Sequence, residues 1–433
     1  MNTASTSSYL DGLLQGRPAA GPLAWLNALR AHAVDRVGVL SVPTTRDEDW
    51  RFTDISPLTK LNFQPAQDVQ APAPAAMEPF ALDEAAARLV FIDGVYAPQH
   101  SFNRAGLTVE NFAAGLEHHG AAVQAQLGRL AAFEHNAFAA LNTAFLHDGA
   151  LILVPRGFTP AAPVHLLFVA TRKHAASHPR CLVVAQPGSA LTLVEDYVAL
   201  QDEAYFTNAV TEIALGSDAR LHHVRVQREG AEAFHIANCA VTLAPSSCYH
   251  SVSVALGARI SRHNLGVAFA AEGAECSIDG LALIGGKQLA DTHTLIDHAQ
   301  AQCTSRQLHK CIVDGAAHAV FNGNIMVRAG AQRTDSAQSS RNLLLSGRAR
   351  VDTKPQLEIF ADDVKCAHGA TVGQLDLDEV FYLKSRGLSE TAARNLLTYA
   401  FGAEVIERIP VATLRHRLEQ SVLARTQSAG SAT

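Results

Sequence analysis

Hydrophobic positions in this chain follow two different periods, and the places where the period changes divide it into three parts. Near the N-terminus the spacing is helical. Leu26, Leu29, Ala33 and Val37 recur behind Pro22, a residue suited to the start of a helix. A polar segment follows, Pro43-Thr44-Thr45-Arg46-Asp47-Glu48-Asp49-Trp50-Arg51-Phe52-Thr53-Asp54, with Trp50 as its large aromatic anchor. The Pro- and Ala-rich stretch from Gln64 to Pro79 reads as a linker. Leu89 to Tyr96 predicts a short strand pair turned at Asp93-Gly94, and Phe138, Leu141 and Phe145 predict a helix closed by Asp148-Gly149.

From Ala150 to about Val372 the helical signal fades and short runs of β-formers follow one another: LILVP, VHLLFVA, CLVVA, ALTLVEDYV, NAVTEIAL, RLHHVRV, YHSVSVAL. Turn residues punctuate them at Gly188, Gly216, Pro245, Gly273, Gly315, Gly330 and Gly347. Some intervals are near 28 residues (188 to 216, 216 to 245) and others near 16 (257 to 273, 315 to 330, 330 to 347). The corners also echo one another, as PGSALTL, LGSDARL, EGAECSI, DGAAHAV, AGAQRTD and SGRARVD. A repeat of this size without helices predicts a β-solenoid, whose stacked rungs bury one continuous core. A β-sandwich gives strands at similar spacing and stays open on pattern alone. Beyond Leu377 the helical period returns. Ala393, Leu396, Leu397, Ala400 and Phe401 share a face behind a Ser389 cap, and Pro410 opens a last helix carrying Val411, Leu414, Leu418 and Val422. The tail from Thr426 to Thr433 is small and polar, which predicts fraying. The expected domains are residues 1–149, helical with a small strand pair; 150–373, the β core; and 374–433, a helical C-terminal domain.

Composition narrows the function. At 48 % hydrophobic and 18 % charged, 433 residues can bury a large core. The net charge of −6 comes without a basic stripe, so nucleic acid is not the expected partner. The first residues, MNTASTSSYLDGLL, have neither the basic nor the apolar region of a secretory signal, and no apolar run reaches the length of a membrane span. A cytoplasmic protein without membrane contact is expected. Seven cysteines without a C-x-x-C pair argue against a disulfide framework or a zinc ribbon, and most are expected as small buried hydrophobes.

The sequence contains no phosphate-binding loop, no dinucleotide-binding glycine fingerprint and no G-x-S-x-G elbow. Most of the 20 histidines, among them His222, His223, His235, His250 and His263, read as structural or surface residues. Two Cys/His groupings stand apart: His309-Lys310-Cys311 and Asp362-Asp363-Val364-Lys365-Cys366-Ala367-His368-Gly369. On a strand Cys366 and His368 share a face, with Lys365 on the other. Thiolate and imidazole suit iron or zinc, but an iron–sulfur cluster usually takes four ligands, so two must come from elsewhere. A stand-alone metal or redox protein is one reading of this pair. A β-helix polysaccharide enzyme is disfavoured: aromatics are only 6 %, and Asp362 and Asp363 would point to opposite faces of a strand.

Longer words carry a resemblance. FNGNI from Phe321, AQRTDSAQSSRNLLLS, KPQLEIFADDVKCAHGATVGQLD, FYLKSRGLS and, near the N-terminus, PTTRDEDWRFTD resemble the SufB/SufD family of iron–sulfur cluster assembly proteins. In the SufB branch a Glu follows the histidine where this chain has Gly369, and a cysteine lies near the position of Ser339-Ser340-Arg341-Asn342, where this chain has no thiol. Both departures point to the SufD branch. The resemblance implies a mainly β protein, a right-handed parallel β-helix flanked by helical N- and C-terminal domains. It implies a non-catalytic scaffold in a complex with SufB and two copies of the SufC ATPase. It further implies that His368 lies at the SufB interface near the nascent cluster, with Cys366 beside it. His368 would be a transient iron ligand shared with SufB, and no cofactor would be held stably. The C-terminal helices would dock SufC, with Phe381, Tyr382, Arg386, Leu396, Leu397 and Phe401 as candidate contacts. An edge meant for SufB could also pair with itself, so a homodimer of the isolated chain is possible.

Overall fold

The structure, a computed structural model, describes residues 9–66 and 69–429, without the side chains of 426–429. Two eleven-stranded sheets form the two walls of a β-solenoid of about eight turns. Successive strands alternate between the walls. Along the first sheet run Gly149–Val154, Arg180–Ala185, Phe206–Leu215, Phe234–Leu243, Ile260–Phe269, Leu289–His298, His318–Val327 and Arg350–Ile359. Along the second run Val164–Ala170, Ala190–Ala199, Arg220–Arg228, Cys248–Ala255, Glu275–Ile284, Thr304–Val313, Asp335–Leu344 and Lys365–Gly373. All neighbours in these two series pair in parallel.

The repeat seen in the sequence comes from the corners. Each central strand of the second sheet is preceded by one residue in the left-handed region: Gly188, Asp218, Ser246, Gly273, Gln302 and Arg333, spaced 27 to 31 residues apart. Gly188 and Gly273 were legible as turn residues. At two further corners the left-handed residue is Asp218 or Ser246, two residues beyond Gly216 and one beyond Pro245. An interval near 28 is thus a full turn, and one near 16 is the step between walls.

Parallel stacking places like on like inside the solenoid. On the first wall Ile152, Val183, Ile213, Val241, Val267, Ile296, Ile325 and Leu357 lie in register over eight strands. This aliphatic ladder belongs to the main core, which also takes in Cys181, Cys239, Cys276 and Cys303. Five of the seven cysteines are buried, while Cys248 and Cys366 are half-buried.

The N-terminal region closes one end. Helix α1 (Ala24–Val39) packs on α3 (Ala137–Ala144), while α2 (Phe112–Gln126) covers Leu151 and Leu182. The expected hairpin forms, Ala87–Ile92 against Val95–Tyr96 around Asp93 and Gly94, both at positive φ. It also joins the second sheet beside Val164–Ala170, and Thr108–Asn111 pairs antiparallel with the first rung. Helix α3 ends before Asp148, because Gly149 already opens a strand and the Asp148 carboxylate accepts from the backbone of Tyr96 and Gly149. The Gln64–Pro79 stretch is not a free linker: Met77 is buried in a cluster with Val90 and Ile92, and a short helix, Pro74–Met77, forms around it.

An ion pair ties this end to the rungs. Arg180 and Glu212 are wholly buried and paired, and Glu212 accepts from the backbone N–H groups of Gly128, Leu130 and Ala131. Arg180 also donates to Asn142 and Thr143 of α3. At the other end α5 (Glu390–Ile406) and α6 (Ala412–Ala429) fold back on the outer face of the second sheet, and α4 (Leu377–Ser385) packs on α5. Ser389 caps α5 by accepting from Ala392, as the sequence predicts, and Val411, Leu414, Leu418 and Val422 are buried. Helix α6 continues through 426–429, and residues 430–433 lie outside the described part. Among the described residues no helix is long and apolar enough to cross a membrane.

Removing one partner of a buried pair strands the other charge. Arg180→Met should therefore cost about 3–5 kcal/mol, read as a lower urea midpoint. Arg180→Met/Glu212→Gln should recover part of that loss.

Candidate functional site

The solenoid ends on Arg350–Ile359 in one wall and Lys365–Gly373 in the other, and neither strand has a partner on its outer side. Cys366 and His368 lie on the second of these edges. Their partners in register are Ser336 and Gln338, both buried and pointing inward, so the two residues share the inward face, as strand alternation predicts. Cys366 is half-buried against the end of the main core, and His368 is exposed. Burial, reinforced by the Asp335 carboxylate, raises the Cys366 thiol above its ordinary range, so the thiol form is favoured until a cation displaces its proton. Asp362 and Asp363 do not occupy opposite faces of a strand. They form the exposed corner before it, where Arg333 N donates to Asp363 O at 2.6 Å.

Below the edge the inward positions of the second wall change character. Cys276 is followed in register by Ser305, Ser336 and Cys366; Ile278 by Gln307, Gln338 and His368; Gly280 by His309, Ser340 and Ala370. The serines and glutamines among them are buried and hydrogen-bonded. Ser305 Oγ and Ser336 Oγ are 2.6 Å apart, Gln338 Nε2 donates to Gln307 Oε1 at 2.7 Å, and Thr353 Oγ1 donates to Ser340 Oγ at 3.1 Å. The sequence reading passed over this hydroxyl and amide floor. Its signal was present in DSAQSSRNLL, where Ser336, Gln338, Ser340 and Asn342 alternate at the spacing of one strand face.

The other grouping, His309-Lys310-Cys311, splits across the strand. His309 and Cys311 point inward and are buried, whereas Lys310 reaches out to α5, donating to Phe401 O at 2.8 Å and pairing with Glu404. His309 stacks on Phe321 with ring centroids 4.6 Å apart, in space that Gly280 leaves free, since a Cβ there would lie 2.2 Å from His309 Nδ1. Of the five histidines read as structural or surface residues, His223, His235 and His263 are buried in the solenoid, and His222 and His250 face outward. Among the described residues no group of three or more His, Cys, Asp or Glu side chains is arranged to hold a metal ion.

The candidate docking residues are not equally available. Phe381, Tyr382 and Leu396 are exposed, at 72 %, 56 % and 45 %, and Arg386 is exposed with its guanidinium 5.4 Å from the Tyr382 ring. Leu397 is half-buried. Phe401 packs toward the solenoid under the Lys310 ammonium, 4.5 Å from its ring centroid.

Burial lowers the imidazoles of His165, His298 and His309 to about 4 and that of His178 to about 3. These rings stay neutral in the fold while the unfolded chain binds protons near pH 6.5, so stability should fall as pH drops below about 6.5. Each histidine contributes a slope of up to about 1.4 kcal/mol per pH unit, ending near its folded pKa. Urea unfolding at pH 7.5, 6.5 and 5.5 should show this trend, and His309→Gln should flatten it.

Comparison with known proteins gives consistent matches. Residues 168–401 match the family model described as SUF system FeS cluster assembly, SufBD core domain, and residues 18–166 match the SufBD protein N-terminal region. An iron–sulfur cluster assembly SufBD family protein of Synechocystis is 40 % identical over 411 residues, covering 92 % of this chain and 90 % of that protein. The iron–sulfur cluster assembly protein SufD of Escherichia coli is 35 % identical over 392 residues, covering 89 % and 88 %. The chloroplastic protein ABCI7 of Arabidopsis thaliana is 30 % identical over 410 residues, covering 88 % and 82 %.

Proposed function

Because the chain belongs to the SufBD family of iron–sulfur cluster assembly proteins and is of the SufD type, we propose that it is a non-catalytic cytoplasmic scaffold that pairs with SufB at its open edge. The observation that carries this reading is the unpaired Lys365–Gly373 edge with His368 exposed on it. A row of free backbone N–H and C=O groups is a template for another strand, and two β-solenoids can share such an edge. Apolar side chains flank it: Phe360 is 64 % exposed and Leu377 is 74 % exposed. In a monomer such residues stand in water. In a heterodimer they form the apolar part of the interface.

At that shared edge His368 supplies an imidazole to iron as the cluster is built, and SufB supplies the remaining ligands and the sulfur. The two ligand types on this strand are chemically suited to iron but too few to hold a cluster, which makes the site a half-site. Cys366, half-buried and favouring its protonated form, is the secondary member. The exposed face of α4 and α5, with Phe381, Tyr382, Arg386 and Leu396, docks one SufC, and SufB docks the second copy. ATP-driven closure of SufC then moves the helices against the last rungs and opens the shared edge to iron.

Co-expression with SufB and SufC, followed by affinity capture of this chain, should recover both partners with about two SufC per complex. His368→Ala should keep the complex intact and lower cluster yield at least about tenfold. Phe381→Ala/Leu396→Ala should release SufC while retaining SufB. Normal cluster yield from His368→Ala would refute the half-site. Recovery of this chain alone, with metal bound, would favour a stand-alone metalloprotein.

A further inference from the structure

The side chain directly beneath His368 is held in a way that its own rung does not explain. Gln338 is 3 % exposed, and its Nε2 is committed downward, donating to Gln307 Oε1 at 2.7 Å. Gln307 in turn donates from Nε2 to Thr294 Oγ1 at 2.9 Å. This chain of amides fixes which end of Gln338 faces which way. Gly323 on the opposite wall makes the room the amide occupies, because a Cβ there would lie 2.2 Å from Gln338 Nε2 and 2.7 Å from Cδ. The other end of the amide, Oε1, is buried and has no hydrogen-bond partner.

A buried acceptor without a donor is destabilising. Of the nearby hydroxyls, Ser336 is bonded to Ser305, and Ser340 accepts from Thr353 Oγ1 and Asn342 Nδ2 and makes no bond to Gln338 Oε1. In register one strand above Gln338 is His368, on the same inward face and at the spacing of adjacent strands, about 4.8 Å. A neutral imidazole has one N–H to give and one lone pair to keep. We infer that Gln338 is a positioning residue: when the exposed ring of His368 turns inward over it, the free Oε1 receives the ring N–H and directs the other ring nitrogen, with its lone pair, to the open edge. This is the arrangement a metal-ligating histidine needs, since the partner of one nitrogen sets the tautomer and aim of the other. It rests on the reading of His368 as an iron ligand, but its physical content is a tautomer and can be tested without iron.

The experiment is NMR of the full chain, deuterated and 15N-labelled at histidine, at pH 8, with long-range correlations reporting which ring nitrogen carries the proton. The His368 signals are those lost in His368→Ala. The native chain should show His368 in a single tautomer. Gln338→Met, of similar length but with no acceptor, should show the mixture typical of a free imidazole, with cluster yield about tenfold or more lower. Gln307→Met, which leaves Gln338 in place but removes the lock on its amide, should also produce a mixture. That effect, two strands away from His368, is one that simple packing would not give. Mixed tautomers in the native chain, or an unchanged single tautomer in both variants, would overturn the inference. If instead the tautomer behaves as stated and His368→Ala still builds clusters normally, the half-site fails and the positioning stands.

Discussion

Every parallel strand in this protein depends on the next rung to satisfy its backbone. A rung pairs upward and downward through its own N–H and C=O groups, so the stack is stable inside and incomplete at both ends. The two ends are treated differently. The first rung is closed by Thr108–Asn111, which pairs antiparallel, by the Ala87–Tyr96 hairpin, whose first strand adds in parallel before the chain turns back, and by helices anchored through Arg180 and Glu212. The last rung is left open in both walls. Pro355, which has no N–H to offer, lies on the first-sheet edge, while the second-sheet edge carries Cys366 and His368. An edge of this length is usually blunted, and its being bare is the feature on which the proposed pairing rests.

The interior changes along the axis in step with this asymmetry. One wall keeps its aliphatic ladder from Ile152 to Leu357 and supplies apolar burial to every rung. The other begins with Val164, Leu166 and Phe168 and ends in serine, glutamine and asparagine beneath Cys366 and His368. Buried polar groups lower stability unless they are bonded, and here Ser305, Ser336, Gln307, Gln338, Ser340 and Asn342 each make at least one bond to a neighbour. Stability is therefore concentrated in the closed end and the aliphatic wall. The open end is built from groups that hold orientation instead of adding hydrophobic burial.

How much of this was legible in the sequence follows from how local each signal is. Corners are local: four of the six left-handed residues ahead of the second-sheet strands are Gly, Asp or Ser, beside turn residues such as Gly216 and Pro245, so the repeat could be counted, whereas Gln302 and Arg333 leave no such mark. Cys366 and His368 could be placed on one face by strand alternation alone. The long segment words around them brought the family within reach. What could not be read was everything that depends on the neighbouring rung. Whether Gln338 lies over Gln307, whether Gly280 makes room for His309 and whether Glu212 meets Arg180 are set by partners about 30 residues away, whose register a single sequence does not fix. Met77 turned a presumed linker into packed structure for a related reason: one apolar side chain with a distant pocket outweighs a loop-like composition.

The C-terminal helices connect the open edge to whatever binds them. Ile406, Leu414, Leu418 and Val422 share one apolar cluster with Val224, Val252, Leu281, Leu308, Ile312 and Leu343 on the outer face of the second wall. Lys310 and Arg341 meet Glu404 of α5, and Asp279 meets Arg408. The strand bearing Lys310 pairs with the strand bearing Gln338, which pairs with the strand bearing His368. Close-packed interiors transmit displacement because they have little free volume to absorb it. A partner that shifts α5 therefore acts on the two strands next to the edge, on the nearer through Arg341 and on the one below it through Lys310.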